Sequence, residues 1–429
     1  MRQYESYKDS GVEWIGKIPS HWETKKVKYI SSYNDDVLPE NYNKENVIEY
    51  VEISDVNSSE GITNTTTYKY KDAPSRARRK TKSGDIIVST VRTYLRAISK
   101  IDRDGLIVST GFIVLRPKID AGFMAYSANT EPFIASVVSQ SVGVSYPAIN
   151  ANQVVNIKLS IPPLAEQRAI AAYLDEKISQ IDCIIKSREE KIELLEELRT
   201  SIISHAVTKG IRKDVEMKDS GIEWIGRIPK HWEITIMKRV LQEPMKYGAN
   251  ESAEFDNPDW PRYIRITDIN ENGDLKKETF KSLPPQKAEE YLLENGDILF
   301  ARSGATVGKT YLHKGGISAC YAGYLIKAKC KKTLNPEYLF YYTQSNAYDN
   351  WKNSIFIQST IQNIGADKYS YMPTLVPPIE EQKDIVSFIV KETDIIADSI
   401  AKARYEISLL KEYRASLITE VVTGKRKVI

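Results

Sequence analysis

Residues 8–23 read KDSGVEWIGKIPSHWE, and residues 218–233 read KDSGIEWIGRIPKHWE. Thirteen of the sixteen positions are identical across a separation of 210 residues, and the changes Val12/Ile222 and Lys17/Arg227 keep the chemistry. A chain that repeats so long a stretch is a duplication, with a period far beyond the repeat unit of a solenoid. The correspondence continues: YVEISDV (50–56) matches YIRITDI (263–269), SGDIIVST (83–90) matches NGDILFAR (295–302), and TGFIVLRP (110–117) matches AGYLIKAK (322–329). IPPLAEQ (161–167) matches VPPIEEQ (376–382), and LRTSIISHAVT (198–208) matches YRASLITEVVT (413–423). Between these anchors the halves diverge almost completely. A scaffold has been kept while its contents changed.

Segments 50–56 and 84–90 are rich in β-branched residues, and Gly84-Asp85 and Gly296-Asp297 are turn signals just before strands. They predict two mixed α/β globules, roughly 24–160 and 234–374. Each globule is followed by Pro-Pro and a long helical pattern. Glu166, Glu380 and Glu381 suit the positive end of a helix dipole.

Positions 174, 178, 181, 185, 188, 192, 195, 199, 202 and 206 alternate spacings of four and three, as do 389, 393, 396, 400, 403, 407, 410, 414, 417 and 421; eight of ten are apolar in each set. That 3.5-residue repeat predicts an intramolecular coiled-coil pair, with a paired part on the order of 50 Å long at about 1.5 Å per residue. Arg199 and Arg414 interrupt both stripes at equivalent places. Either they set register against glutamates such as Glu196, or the seam there opens to solvent. The expected architecture is α+β: two mixed α/β domains separated by two long antiparallel coiled-coil helices, related by a pseudo-twofold, with the globules at opposite ends of a rod. Ile429 would then return near residues 1–10. Trp14, Trp22, Trp224 and Trp232 would pack the junctions, and His21 and His231 would be structural.

Catalytic signatures are missing. The chain has no H-E-x-x-H, G-x-S-x-G, C-x-x-C or EF-hand loop, and no G-x-G-x-x-G after a strand. The Pro-Pro pairs follow Ile, Leu and Val, which excludes the Asn/Asp-Pro-Pro-aromatic tetrapeptide of amino-methyltransferases. SGATVGKT (303–310) approaches a phosphate-binding loop, but Ser303 stands where that motif needs glycine, and the equivalent STVRTYLR (89–96) has no such loop. Three scattered cysteines have no metal or redox spacing. The polar start MRQYESYKDS and the lack of an apolar run of roughly 18 residues predict a soluble, cytoplasmic protein.

A net charge of +3 leaves nucleic acid open, so the distribution of charge decides. Residues 69–82 carry Lys69, Lys71, Arg76, Arg78, Arg79, Lys80 and Lys82 against the single acid Asp72, and Arg92 and Arg96 flank Tyr94 just beyond the next strand. Lysine and arginine neutralise phosphates, and arginine also reads guanine edges. The second half offers Arg302, Lys309 and Lys314. Two unlike readers held at fixed separation would recognise a split, asymmetric sequence.

The EWIG-IP-HW opening of each half, the GDI strand and the IPP/VPP-x-x-EQ entry into each long helix resemble the specificity subunits of type I restriction–modification systems over essentially the full length. The resemblance implies target-recognition domains over 1–160 and 210–375 and spacer helices over 161–209 and 376–429. It implies a non-catalytic chain that binds double-stranded DNA. That chain would recruit two methyltransferase subunits, which bring S-adenosylmethionine to adenine N6, and motor/nuclease subunits using ATP and Mg²⁺. This chain itself would bind no cofactor or metal and meet no membrane. Two regions look like family recognition loops: 89–96 with 302–310, including Ser303 and Thr306, and 143–150 with 356–363, where Ser145, Tyr146, Gln358 and Ser359 would hydrogen-bond bases or phosphates. Two other classes compete. A protein-binding scaffold predicts no DNA affinity, and a P-loop enzyme predicts ATPase activity lost on Lys309→Ala.

Overall fold

The computed structural model describes residues 3–58, 60–143, 146–356 and 362–428. The chain forms two units: Met1–Arg188 with Tyr405–Ile429, and Glu189–Arg404. Each is a mixed α/β globule carrying a stretch of both long helices, Leu164–Lys209 and Ile379–Val422. No helix among the described residues is long and apolar enough to cross a membrane.

In the first unit, one sheet runs in the order Ile98–Lys100, Ile86–Ser89, Phe112–Pro117, Ser31–Tyr33. A second runs Thr66–Lys69, Val47–Val51, Ile107–Ser109, Ala77–Lys80. Ile87, Val108, Phe112 and Val114 are buried between them. The second unit repeats the first sheet as Thr310–Leu312, Ile298–Ala301, Leu325–Ala328 and Lys246–Tyr247.

The repeated Gly-Asp has a clear cause. Gly84 and Gly296 turn at φ +88° and +90°, a region that favours glycine. The buried carboxylate that follows closes the turn, because Asp85 accepts the Lys82 N–H and Asp297 accepts the Glu294 N–H, each at 2.8 Å. Each aspartate then meets a cation from the neighbouring strand. Arg116 donates two hydrogen bonds of 2.9 Å to Asp85, and Lys327 lies 3.7 Å from Asp297.

The sixteen-residue repeat is a junction. In the first unit Trp22 is fully buried. Glu166, in the first turn of the first long helix, accepts the Tyr4 hydroxyl at 2.5 Å and lies 2.9 Å from His21 Nε2. Gly424, at φ +74° just past the second long helix, packs so closely that a Cβ there would lie 2.3 Å from Pro19 and 3.2 Å from Trp22. In the second unit Glu381 accepts the Trp232 indole N–H at 3.1 Å and lies 2.7 Å from His231, while Gly210, at φ +77°, faces Trp232. Each motif therefore receives the beginning of one long helix and the end of the other. His21 and His231 are structural, as expected. Trp14 and Trp224 are not buried at the junction: the tight turns at 12–15 and 222–225 point Ile15 and Ile225 inward instead, and both tryptophans remain partly exposed, Trp14 beside Lys425.

The glutamine after each glutamate ties the helix start to the globule. Gln167 donates to Pro162 O at 2.8 Å and accepts the Asp120 N–H at 3.0 Å; Gln382 donates to Pro377 O and Thr333 O and accepts the Asn335 N–H at 2.7 Å. Asp120 and Asn335 in turn cap the helices Ala121–Ala128 and Pro336–Tyr342.

Of the heptad positions, Leu174, Ile178, Ile181, Ile185, Ile389, Ile396, Ala403, Ile407 and Leu417 are buried, while Ile192, Leu195, Ile202, Ile400 and Leu410 are half-buried. Within the first unit Asp182 meets Arg414 at 3.2 Å and Arg188 meets Glu406 at 2.8 Å, a pairing that makes the two stretches antiparallel. The two interrupting arginines differ. Arg414 bridges the helices, whereas Arg199 turns to the globule and donates to Gln344 at 2.9 Å, with burial lowering its pKa.

Gln382→Ala should destabilise the second unit by about 1–3 kcal/mol, because it strands backbone donors and acceptors in the core, and should lower its urea midpoint. Gln382→Glu should do no better, since it faces two carbonyls with an acceptor. Burial also pushes the His313 imidazole below its ordinary value. The unfolded chain thus takes up a proton that the fold resists. The stability due to neutral His313 is complete above about pH 6.5 and is lost as the pH falls through the lowered folded value. His313→Gln should flatten the corresponding acid limb of a pH–stability curve.

Candidate nucleic-acid interface

In the first unit the buried strand Ile86–Ser89 runs out into a loop clamped against residues 147–149. Thr90 donates to Gly111 O at 2.7 Å and accepts the Ile149 N–H at 2.8 Å, the Arg92 N–H reaches Pro147 O at 2.8 Å, and Val91 bridges Ala148. The region 89–96 thus forms one structural element with 147–149 of the second region singled out from the sequence. Arg92 and Arg96 sit at φ +51° and +53° on either side of the turn Thr93–Leu95. Left-handed backbone at a residue other than glycine costs about 1–2 kcal/mol, and such strain collects at binding sites. Buried Thr93 anchors the turn, 2.8 Å from the Ser141 hydroxyl, so Tyr94 and Leu95 are exposed at its tip. The Arg92 guanidinium lies 5.0 Å from the centre of the Tyr146 ring, and Arg96 is held by Glu131 through bonds of 2.6 and 2.9 Å.

The second unit builds the same junction from other side chains. Arg302 follows the strand Ile298–Ala301; its N–H donates to Tyr324 O at 3.0 Å, and its carbonyl accepts the Ile364 N–H at 2.8 Å. Ser303 bridges Asn363, and the turn Gly304–Thr306 follows with Gly304 at φ +75°. The Arg302 guanidinium lies 4.8 Å from the centre of the Tyr247 ring, and the Tyr247 hydroxyl accepts the Ala366 N–H at 3.0 Å. Arg302 Nε, Thr306 Oγ1 and Asn363 Oδ1 are buried with no hydrogen-bond partner among the described residues. Ser145, Gln358 and Ser359 lie outside those residues.

The basic run divides by environment. Lys69 and Lys71 pair with Glu45 at 3.2 and 2.9 Å, and Lys82 lies 3.7 Å from Asp36. Arg78 and Arg79 belong to the edge strand Ala77–Lys80 and are half-buried; Arg78 donates to Leu38 O at 3.0 Å, and burial lowers the pKa of Arg79. Arg76 and Lys80 are exposed with no ion pair among the described residues. Lys309 turns away from the loop junction. It contacts Glu271 at 2.6 Å in a cleft shared with Arg199, Thr200, Asp349 and Lys352. A strand, Thr310–Leu312, follows Lys309 where a phosphate-binding loop would open a helix, so the P-loop reading fails. Tyr247 was not singled out in the sequence. It stands 55 residues before Arg302, with no local pattern to join them. No group of three or more histidine, cysteine or acidic side chains among the described residues is placed to hold a metal ion.

Two globules, each with a basic and aromatic loop junction, define a nucleic-acid reader. The type I restriction modification DNA specificity domain matches residues 19–194 and 235–405, and the chain belongs to this family, whose role is recognition of a DNA target. It is 26% identical over 287 residues to the type I restriction enzyme EcoBI specificity subunit of Escherichia coli, covering 63% of this chain and 58% of that one. It is 24% identical over 444 residues to the putative type I restriction enzyme MjaX specificity subunit of Methanocaldococcus jannaschii, covering 96% of each. The fold is also that of two solved structures. A chain described under the structural basis of complex assembly and conformational transition of the type I R-M system has a TM-score of 0.75 at 21% identity, over 94% of this chain and 98% of that one. The HsdS subunit from Thermoanaerobacter tengcongensis gives 0.52 at 22% identity, over 95% and 98%.

Glu131→Gln should release Arg96 for a phosphate. DNA affinity should rise, and the slope of log K against log salt should steepen by about one. Salt-titrated fluorescence anisotropy reads both, and an unchanged slope would place Arg96 away from the DNA backbone.

Proposed function

We propose that this chain reads a bipartite, asymmetric duplex target through its two unlike domains and recruits two methyltransferase subunits to it, with motor/nuclease subunits joining for restriction. The observation that carries this reading is the loop junction built twice on one scaffold with different side chains: Thr90-Val91-Arg92 in one unit stands where Arg302-Ser303-Gly304 stands in the other. Equivalent backbones presenting unlike side chains suit two different half-sequences. On this reading the chain binds no cofactor of its own and works in the cytoplasm. The methyltransferase partners bring S-adenosylmethionine and flip the adenine they modify, and the nuclease partners bring ATP and Mg²⁺. The contacts come from Arg76, Lys80, Arg92, Tyr94, Tyr146, Arg302, Ser303 and Thr306, with Ser145, Gln358 and Ser359 as further candidates, while Arg78, Arg79, Lys82 and Lys309 contribute through fold and field.

Adenine methylation mapped across the host genome by long-read sequencing, with and without the gene, tests this. Removal of the gene should erase one split motif. Replacing residues 24–160 with those of another reader should change one half of that motif only. Changes in both halves would contradict independent domains, and an unaltered methylome would favour a protein-binding scaffold.

A further inference from the structure

We propose that each reading unit carries one guanine-reading arginine laid on a tyrosine, Arg92 on Tyr146 and Arg302 on Tyr247, so that each half of the target contains a G·C pair whose guanine is contacted in the major groove. The assignment rests on the DNA-reading function above and names the bases that function selects.

Three observations meet at these pairs. The first is placement. Arg92 directly follows Val91, which bridges Ala148, and Arg302 directly precedes Ser303, which bridges Asn363. Both therefore stand at the joint between the loop after the central strand and the segment leading to the next short helix.

The second is freedom of charge. Arg96 and Lys309 are neutralised by Glu131 and Glu271, but neither Arg92 nor Arg302 has a carboxylate in ion-pair range among the described residues. A cation without a carboxylate partner is available to an external acceptor, as exposed Arg76 and Lys80 also are.

The third is the stack. A guanidinium held over an aromatic ring, at 5.0 Å in one unit and 4.8 Å in the other, is oriented by the ring while its terminal Nη donors remain available. Guanine N7 and O6 accept from two such donors at once, a planar fork that a lysine matches only with a flexible point charge. The two tyrosines come from different parts of the fold: Tyr146 precedes the helix Ala151–Asn156, and Tyr247 lies on the edge strand Lys246–Tyr247. The arginines are not equivalent in the repeat either, since Arg92 aligns with Gly304 and Arg302 with Thr90. The pair is therefore not a remnant of the shared scaffold. Tyr146 is 65% exposed and Tyr247 42%, so both stacks are open to an incoming duplex.

The test uses the whole specificity chain assembled with its methyltransferase subunits. Arg302→Ala should relax one G·C position in one half of the methylated motif and weaken discrimination there by roughly tenfold to a hundredfold. Arg92→Ala should do the same in the other half only. Tyr146→Ala and Tyr247→Ala should relax the same two positions more mildly, and Tyr247→Phe, which keeps the ring, should recover most of the selectivity lost in Tyr247→Ala. Substituting 7-deazaguanine, which lacks the N7 acceptor, at the assigned guanine should weaken binding of the parent complex but not of the alanine variant. If the alanine variants keep the full motif, or if Arg302→Ala lowers affinity evenly for all sequences and reduces the salt slope by about one, these arginines touch phosphates and the assignment is overturned. A parent complex with no split motif at all would instead overturn the DNA-reading function, and this assignment with it.

Discussion

Everything else in each unit hangs on a buried tryptophan placed between the start of one long helix and the end of the other. Trp22 packs where Glu166 opens the first helix and Gly424 closes the second; Trp232 packs where Glu381 opens the second and Gly210 closes the first. A helix end leaves several backbone groups without partners and carries a partial charge. Here the positive end is met by a glutamate that also binds histidine and tyrosine or tryptophan. The negative end stops at a glycine whose missing side chain lets the indole and a proline approach. The same few residues thus solve two capping problems at once, which explains why the motif had to be written twice, in full, with so little change.

From that junction the order passes into the globule through glutamine. Gln167 and Gln382 bind the backbone at the caps of the short helices Ala121–Ala128 and Pro336–Tyr342, and those helices lie beside the sheet whose central strand feeds the loop proposed to read DNA. The strand is held at its other end by the Gly-Asp turn and its buried ion pair with Arg116 or Lys327. A loop can present strained backbone only if its base is over-determined, and Arg92 and Arg96 show such strain. Rigid anchors at both ends of the strand are the condition under which loop side chains can diverge without loss of the fold. Divergence in these loops is what a family of target readers needs.

Much of this was legible from residue spacing. The 3.5-residue stripes located the buried seam of both helices, because burial on a helix has a fixed period and the pattern ran long enough to average out exceptions. Repeated Gly-Asp and Glu-Gln marked the anchors, since a scaffold contact needs the same residue in both copies. Charge was harder to read. The run from Lys69 to Lys82 looked uniform, yet Glu45, Asp36 and the edge-strand position of Arg78 and Arg79 divert most of it into the fold. Trp14 and Trp224 misled for a similar reason: identity within a motif says that a residue is used, but the turn decides which neighbour points inward.

The sequence by itself determined the duplication, the helical seam and the class of reader, because each of these is written in local spacing or in repetition. Only the tertiary structure decided which cations are free and which are held, that Arg199 leaves the seam for Gln344 while Arg414 stays with Asp182, and that Tyr247 lies against Arg302. Those outcomes depend on residues brought together across tens to hundreds of positions. An ion pair or a ring stack depends on distance in space, which side-chain periodicity along the chain does not encode.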